Sequence, residues 1–316
     1  MLIVASRRAF PILSPVASDQ GRFVGTTEVA AFAHVRSCII IARLNYPEGQ
    51  GGGLGTEVSQ AVTLARVENG RRQLVDGAVV RESQVRVHVN GRELVSLMCT
   101  PLDLDLLVLG FLRSEEIIRE LADVRLIKVC PSRTCVEVWL RDAEFEPPQQ
   151  RTLTSGCGGG VTFADLSAAA RPVESDLRVS HAQLNRLMRA LLETQEARGI
   201  HRSGLGAGDT LLVIAEDVGR HNTIDKLWGR CLADGSSTQD RILVSTGRIS
   251  AEMLNKAAHM GVPVVASRTS PTSLSVALAT AWNLTLVGYV RRDSMNIYTG
   301  LERVVEDEEA RIDANL

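Results

Sequence analysis

The cysteine with the most open surroundings in this sequence is Cys157, which lies in the run TSGCGGG at 154–160. The glycines beside it carry no bulky side chain, so another molecule can approach the sulfur closely. Sulfur transfer needs such a nucleophile, because only the thiolate attacks a sulfur donor. A passive thiol in a flexible loop is the alternative, and the loop by itself does not decide between the two.

The other five cysteines show no metal-binding pattern. Cys130 and Cys135 are separated by four residues, an unusual spacing for zinc, and no second Cys or His pair lies near them in the sequence. We expect these two thiols to flank a hairpin turn. Cys38, Cys99 and Cys231 lie in apolar surroundings and are predicted core residues. Six sparse, irregularly spaced cysteines indicate a reducing compartment rather than a disulfide scaffold.

A polar run, EDVGRHN, begins at Glu216, follows a predicted strand and opens a predicted helix. Its Asn222 can form a capping pair with Asp225. No such local role is evident for three other residues, and we predict that they face a ligand: Asp217, Arg220 and His221.

Arginines accompany two further junctions between a strand and a helix, STGR at 245–248 and SPTS at 270–273. Amide groups at a helix start favour phosphate oxygens. Helix capping explains Ser270 and Pro271, but it leaves the arginines unexplained. A phosphorylated ligand is therefore predicted near Arg248, Arg268, Arg291 and Arg292.

Alternating elements must position these residues. The pattern predicts strands at 211–215, 241–245, 262–267 and 284–290, and helices at 222–231, 249–260 and 271–282. Such a β/α sheet places ligands at the carboxyl ends of its strands. This directs attention to four loops, at 216–221, 246–248, 268–270 and 291–294.

The preceding chain has a different character. Asn90-Gly91 predicts a hairpin between 85–89 and 94–98, a helix is expected to start at Thr100-Pro101, and a second hairpin joins 126–129 to 136–140. A helix capped by Ser180 follows. The predicted organisation is an extension of uncertain structure at 1–60, a small α+β unit at 61–150, an α/β domain at 151–300 and an acidic tail at 301–316.

Composition excludes several classes of protein. The chain has 316 residues, of which 45% are hydrophobic, and a net charge of −2. A net charge this close to zero does not indicate a broad surface for binding nucleic acid or membranes. No apolar run approaches the length of a membrane span. The start of the sequence lacks the pattern of an export signal. We therefore expect a soluble, cytoplasmic protein without nucleic-acid or membrane partners, and the sequence leaves a homodimer open.

Several ordered motifs resemble the FdhD/NarQ family of formate dehydrogenase accessory sulfurtransferases. The likeness runs from about residue 60 to 300 and is carried by EDVGRHNTIDK at 216–226, STGRISAEM at 245–253, SPTSL at 270–274, NIYT at 296–299, TPLDL at 100–104 and GFL at 110–112.

The resemblance implies an α/β fold, with a cytidine-deaminase-like core sheet and flanking helices beside the smaller α+β unit. It also implies that sulfur passes from a cysteine desulfurase, as a protein persulfide, to the bis-guanine-dinucleotide molybdenum cofactor for formate dehydrogenase. The family's persulfide cysteine corresponds to Cys157. Its cofactor-binding stretch corresponds to Tyr289, Val290, Arg291, Arg292, Asp293 and Ser294, beside the predicted contributions of Asp217, Arg220, His221 and Arg248.

One position departs from the family pattern. The family usually has a second cysteine three residues after the first, where this chain has Gly160. One thiol can accept and deliver sulfur, but a local handover to a second thiol is lost. A molybdenum-cofactor chaperone without sulfur transfer is therefore the alternative function. A zinc deaminase is disfavoured, and no zinc is expected, because the His-x-Glu and Pro-Cys-x-x-Cys motifs are missing.

Overall fold

The computed structural model describes residues 40–42, 58–147, 152–153, 161–162, 172–193 and 199–306. Cys157, Gly160, Cys38 and most of the predicted extension at 1–60 lie outside the described residues. The longest described helix has 15 residues. No helix in this part of the chain combines the length and the apolar character of a membrane span.

The first part of the chain forms a five-stranded sheet and a separate two-stranded ribbon. In chain order its elements are β1 (Ile40–Ala42), β2 (Ser59–Glu68), β3 (Arg71–Val80), β4 (Ser83–Val89), β5 (Arg92–Cys99), α1 (Leu104–Ser114), β6 (Val124–Val129) and β7 (Cys135–Leu140). Strands β2 and β3 make the ribbon, and the larger sheet has the order β1-β6-β7-β4-β5. Both predicted hairpins are confirmed, since β4 pairs with β5 and β6 with β7.

Helix α1 begins later than the sequence predicted. Its first residue is Leu104, and Asp103 precedes it in the left-handed region, with φ of 47°. Thr100 does not cap the helix, because its hydroxyl accepts a hydrogen bond from the Val218 amide at 3.1 Å. The predicted inward face is confirmed by four buried residues, Leu104, Leu107, Val108 and Phe111.

The second part of the chain is built on a six-stranded sheet. Its elements are β8 (Thr152–Leu153), β9 (Val161–Thr162), β10 (Val179–Ser180), α2 (His181–Glu193), β11 (His201–Ala207), β12 (Thr210–Asp217), α3 (Arg220–Asp234), β13 (Ile242–Ser245), α4 (Ala251–His259), β14 (Val264–Ser267), α5 (Ser273–Ala281), β15 (Thr285–Arg291), β16 (Ser294–Thr299) and β17 (Val304–Val305). The strand order is β12-β11-β13-β14-β15-β16.

Strand directions bring the four predicted loops to one edge of this sheet. Strands β13, β14 and β15 are mutually parallel. Strand β11 is antiparallel to both β12 and β13, so β12 runs in the same direction as the other three. The carboxyl ends of β12, β13, β14 and β15 therefore share an edge, as the alternating pattern predicted.

Helices cover both faces of the six-stranded sheet, because its buried strand residues alternate between two cores. Leu243 and Val265 pack with α3 and α4 on one face. Val244 and Ala266 pack with the apolar side of α2 on the other. This arrangement confirms the mixed α/β class, while the narrower likeness to cytidine deaminases stays a prediction.

The two parts of the chain meet where α1 crosses α3 at very short range. A Cβ atom on Gly110 would lie 1.8 Å from the carbonyl oxygen of Asp225. One on Gly229 would lie 1.9 Å from the carbonyl oxygen of Leu106. Only glycine lets the two backbones approach this closely.

Two lysines are buried behind this crossing, each with carboxylate partners. Lys226 lies 2.7 Å from Asp217, and both side chains are almost fully buried. Lys256 donates to both carboxylate oxygens of Asp225, at 2.6 and 2.7 Å. Burial opposes the charge on Lys256, but nearby carboxylates outweigh it and raise the pKa above its usual value.

Candidate functional site

An open groove of about 1040 Å³ lies between α2 and the turn that joins β15 to β16. From the sheet it is lined by Arg268, Val290, Arg291, Arg292, Asp293 and Ser294. From α2 it is lined by His181, Ala182, Asn185, Arg186, Met188, Arg189, Leu192 and Glu193. The volume is at the upper end of the range for pockets that hold small molecules.

An irregular strand exit shapes the floor of the groove. The pairing of β15 with β16 shifts register between Gly288 and Arg291, and Tyr289 has a left-handed backbone with φ of 52°. The amide of Tyr289 donates to the carbonyl of Thr269 at 3.1 Å instead. Such bulges redirect side chains at the end of a strand, and here they turn the 290–294 stretch toward α2.

Asn185 ties α2 to this stretch. Its side-chain amide donates to the carbonyl of Arg291 at 2.8 Å and also to that of Arg292. Helix and turn are therefore held together by one polar side chain, which the sequence alone did not single out. Asn185 lies on the side of α2 that does not face the apolar core.

The groove is cationic, with five arginines against two carboxylates along its walls. Arg186 and Arg189 make exposed ion pairs, with Asp209 and Glu193. Within the described part of the chain, Arg268 and Arg291 form no ion pair. Each donates to backbone carbonyls, and burial together with the charge of Arg291 lowers the pKa of Arg268. An anion here would relieve the repulsion between two like charges.

Asp217, by contrast, is fully buried and has structural partners on several elements. It accepts hydrogen bonds from the amides of Gly219 at 2.8 Å and Thr100 at 3.2 Å. It also accepts one from Asn222 at 2.8 Å and pairs with Lys226. These contacts join the end of β12 to the segment between β5 and α1 and to the start of α3. They give Asp217 a structural role that the sequence did not reveal.

His221 and Arg220 lie at the start of α3, near the loop that follows β13. The Nε2 atom of His221 is 2.9 Å from the hydroxyl of Ser250 and 3.5 Å from a carboxylate oxygen of Glu252. Arg220 packs beside Gly247. A Cβ atom added to Gly247 would lie 2.8 Å from the Cβ atom of Arg220. Arg248, next in that loop, is exposed. Three of the predicted residues therefore lie around one pair of loops, outside the groove.

Burial lowers the pKa of His221 to about 4, although Glu252 opposes this shift. The imidazole is then neutral at neutral pH, and its contact with Glu252 is not an ion pair. The unfolded chain binds a proton below about pH 6.5, whereas the folded protein does so only near pH 4. The free energy of unfolding should therefore fall as the pH is lowered through that window.

Replacing His221 by glutamine removes this titration and keeps a polar group beside Ser250. Between pH 6.5 and 4 we expect the variant to lose less stability than the native protein, by on the order of 3 kcal/mol. Urea unfolding at a series of pH values measures the difference. Parallel pH dependences for the two proteins would show that His221 does not titrate in this way.

The structure brings together half of the ten residues predicted to bind the cofactor. Val290, Arg291, Arg292, Asp293 and Ser294 line the groove, Tyr289 adjoins it, and the other four do not line it. Sequence reasoning missed the α2 wall, with Asn185, Arg186 and Arg189 on its polar side. Among the described residues, no group of three or more His, Cys, Asp or Glu side chains could hold a metal ion.

Comparisons with known proteins agree on one family. The model of the FdhD/NarQ family matches residues 80–305. A protein named sulfur carrier protein FdhD from Bacillus subtilis (strain 168) is 37% identical over 80% of this chain and all of its own length. One of the same name from Staphylococcus aureus (strain MRSA252) is 33% identical over 81% of this chain and all of its own length.

A solved structure from Desulfotalea psychrophila, assigned as a formate dehydrogenase accessory protein, superposes with a TM-score of 0.67. It is 30% identical and covers 78% of this chain and all of its own. The family model spans well over half of the sequence, including the six-stranded sheet and strands β4 to β7 of the five-stranded sheet. The chain therefore belongs to the FdhD/NarQ family.

Proposed function

We propose that this protein is a sulfur carrier for formate dehydrogenase. In this proposal Cys157 takes a persulfide sulfur from a cysteine desulfurase and delivers it to the bis-guanine-dinucleotide molybdenum cofactor, which is the substrate. The cofactor then passes to formate dehydrogenase in the cytoplasm. The names of the similar proteins support the sulfur-carrier role and the link to formate dehydrogenase.

The observation that carries the proposal is the cationic groove at the 290–294 stretch. A guanine dinucleotide is rich in phosphate, and arginines bind phosphate oxygens through two parallel hydrogen bonds. Arg268 and Arg291 lie together without carboxylate partners among the described residues, and Arg292 is 94% exposed. The groove therefore supplies the charge that such a substrate requires. His221, Arg220 and Arg248 are a second polar group at the same sheet edge.

A guanine nucleotide can probe the groove directly. Replacing Arg291 by alanine should weaken the binding of guanosine diphosphate about 10-fold or more, because one charge-assisted phosphate contact is lost. Calorimetric titration of the full chain at two salt concentrations measures this, and the salt dependence should decrease in the variant. Arg66→Ala, on the exposed ribbon, is the matched control. Equal affinities for Arg291→Ala and Arg66→Ala would count against this groove.

The persulfide step has a direct test. Incubation of the protein with a cysteine desulfurase and cysteine should add one sulfur atom to Cys157, because a thiolate attacks the outer sulfur of the donor persulfide. Mass spectrometry of the peptide that contains Cys157 detects the addition, and its loss after reduction confirms a persulfide. A peptide without added sulfur would remove the central step of the proposal.

A cofactor chaperone without sulfur transfer is the second candidate. It is favoured by Gly160, since the family's second cysteine is missing from this chain. The two functions share the groove and differ only in the need for Cys157.

A further inference from the structure

The turn between β6 and β7 holds two thiols side by side. Val129 and Val136 are the last paired residues of the hairpin, so Cys130 and Cys135 are the next opposite pair. The amide of Cys130 donates to the carbonyl of Cys135 at 3.0 Å. Opposite residues of an antiparallel pair have Cα atoms about 4.5 to 5.5 Å apart. A disulfide fits that separation without movement of the backbone.

Both thiols lie on the outward side of the sheet. Val136 and Val138 point into the core, while Cys135 alternates with them and shares its side with the exposed Glu137 and Trp139. Cys130 and Cys135 are both partly exposed, and both are in the reduced, thiol form. A small molecule can therefore reach the pair from solvent.

The turn provides hydrogen-bond donors for the sulfur of Cys130. The Cys135 amide donates to it at 3.0 Å, and the hydroxyls of Ser132 and Thr134 lie at 3.3 and 3.8 Å. Donors of this kind stabilise a thiolate. The arrangement is asymmetric, because these contacts converge on Cys130 and leave Cys135 as the protonated partner.

The two thiols accordingly titrate far apart. Burial raises the pKa of Cys130, but hydrogen bonds from Cys135, Ser132 and Thr134 outweigh it and lower the value to about 6. Burial, the contact with Cys130 and the charge of Glu137 raise the pKa of Cys135 to about 11. At neutral pH Cys130 is mainly a thiolate, whereas Cys135 is a thiol.

We propose that Cys130 and Cys135 form a redox-active dithiol that exchanges with small-molecule disulfides, in addition to the function proposed for Cys157. The Cys130 thiolate attacks one sulfur of the disulfide, breaks its S–S bond and releases one thiolate. Cys135 then gives its proton to solvent and attacks the Cys130 sulfur, which expels the second thiolate. The pair loses two electrons and forms a disulfide, and the small disulfide is reduced to two thiols.

Oxidised glutathione tests this in the full chain carrying Cys157→Ala, so the outcome does not depend on the sulfur-carrier proposal. Trypsin cuts after Lys128, Arg133 and Arg141. Once free thiols are blocked, reduced protein gives separate peptides 129–133 and 134–141, and the disulfide joins them into one. We expect the joined peptide after treatment, and its disappearance on addition of a dithiol reductant.

Two variants assign the roles of the thiols. With Cys135→Ser the reaction should stop at a glutathione adduct on peptide 129–133, because the resolving thiol is gone. With Cys130→Ser peptide 134–141 should stay unmodified. At pH 7 iodoacetamide should label Cys130 on the order of 10-fold faster than Cys135, or more. The proposal fails if the joined peptide does not form, if the adduct appears on Cys135, or if the two thiols label at equal rates.

Discussion

Cells that carry only the Cys157→Ala form of this protein are expected to lose formate dehydrogenase activity by about 100-fold or more. The reason is chemical, since a covalent sulfur carrier has no intermediate without its nucleophile, and nucleophile removal is among the most costly changes in covalent catalysis. Complementation of a strain that lacks the native protein, followed by an assay of formate oxidation, measures the loss.

Ser155→Ala is the matched control, because it changes the same glycine-rich run of the sequence and leaves the thiol in place. It should restore most of the activity, and immunoblotting should show equal amounts of both variants. Full activity with Cys157→Ala would refute sulfur transfer through this residue and would leave the chaperone function. Retained binding of guanosine diphosphate by the inactive variant would show that the groove and the thiol act separately.

Lys256→Met is expected to lower the free energy of unfolding by about 3–5 kcal/mol, the range found when one partner of a buried ion pair is removed. The ammonium group of Lys256 lies 2.6 Å from the carboxylate of Asp225 and 3.8 Å from that of Glu252, and all three side chains are buried. Methionine keeps much of the side-chain volume but leaves these carboxylates without a countercharge. Urea unfolding at neutral pH measures the change.

A second substitution separates charge from packing. The double variant Lys256→Met with Asp225→Leu should be more stable than the sum of the two single changes implies, by on the order of 1–3 kcal/mol. Lys128→Met, on the exposed side of β6, should change stability by no more than about 0.5 kcal/mol. A loss of under about 1 kcal/mol for Lys256→Met alone would contradict the account.

The strands β12 to β15, the helices between them and the shared edge of their loops could be predicted from the sequence, because apolar periodicity and glycines at helix ends indicate such elements directly. Strand β11 could not. Its sequence contains Gly204 and Gly206, which are poor strand formers. A Cβ atom on Gly206 would lie 2.9 Å from Leu187 of α2, so the glycines allow the helix to pack closely against this strand. That requirement exists only in the folded protein.

The walls of the candidate groove could be predicted in part. The stretch at 290–294 was singled out, because the family resemblance and the clustered arginines both indicated it, and its binding of the cofactor stays a prediction. Its partner wall on α2 was not, since Asn185 and Arg189 look like ordinary surface residues of an amphipathic helix. For Asp217 the sequence predicted a ligand contact, because this residue is polar and lies in a predicted loop. In the folded protein its partners include Thr100, which is distant in sequence, and Lys226, which lies on α3.

The contact of α1 with α3 through Gly110 and Gly229 bears on how this protein unfolds. At these two glycines the backbones of α1 and α3 lie too close for even a Cβ atom between them, so we expect the two helices to separate in one step. We therefore expect the two parts of the chain on either side of the predicted boundary near residue 150 to unfold together. The two sheets should melt in a single calorimetric transition, with equal calorimetric and van 't Hoff enthalpies.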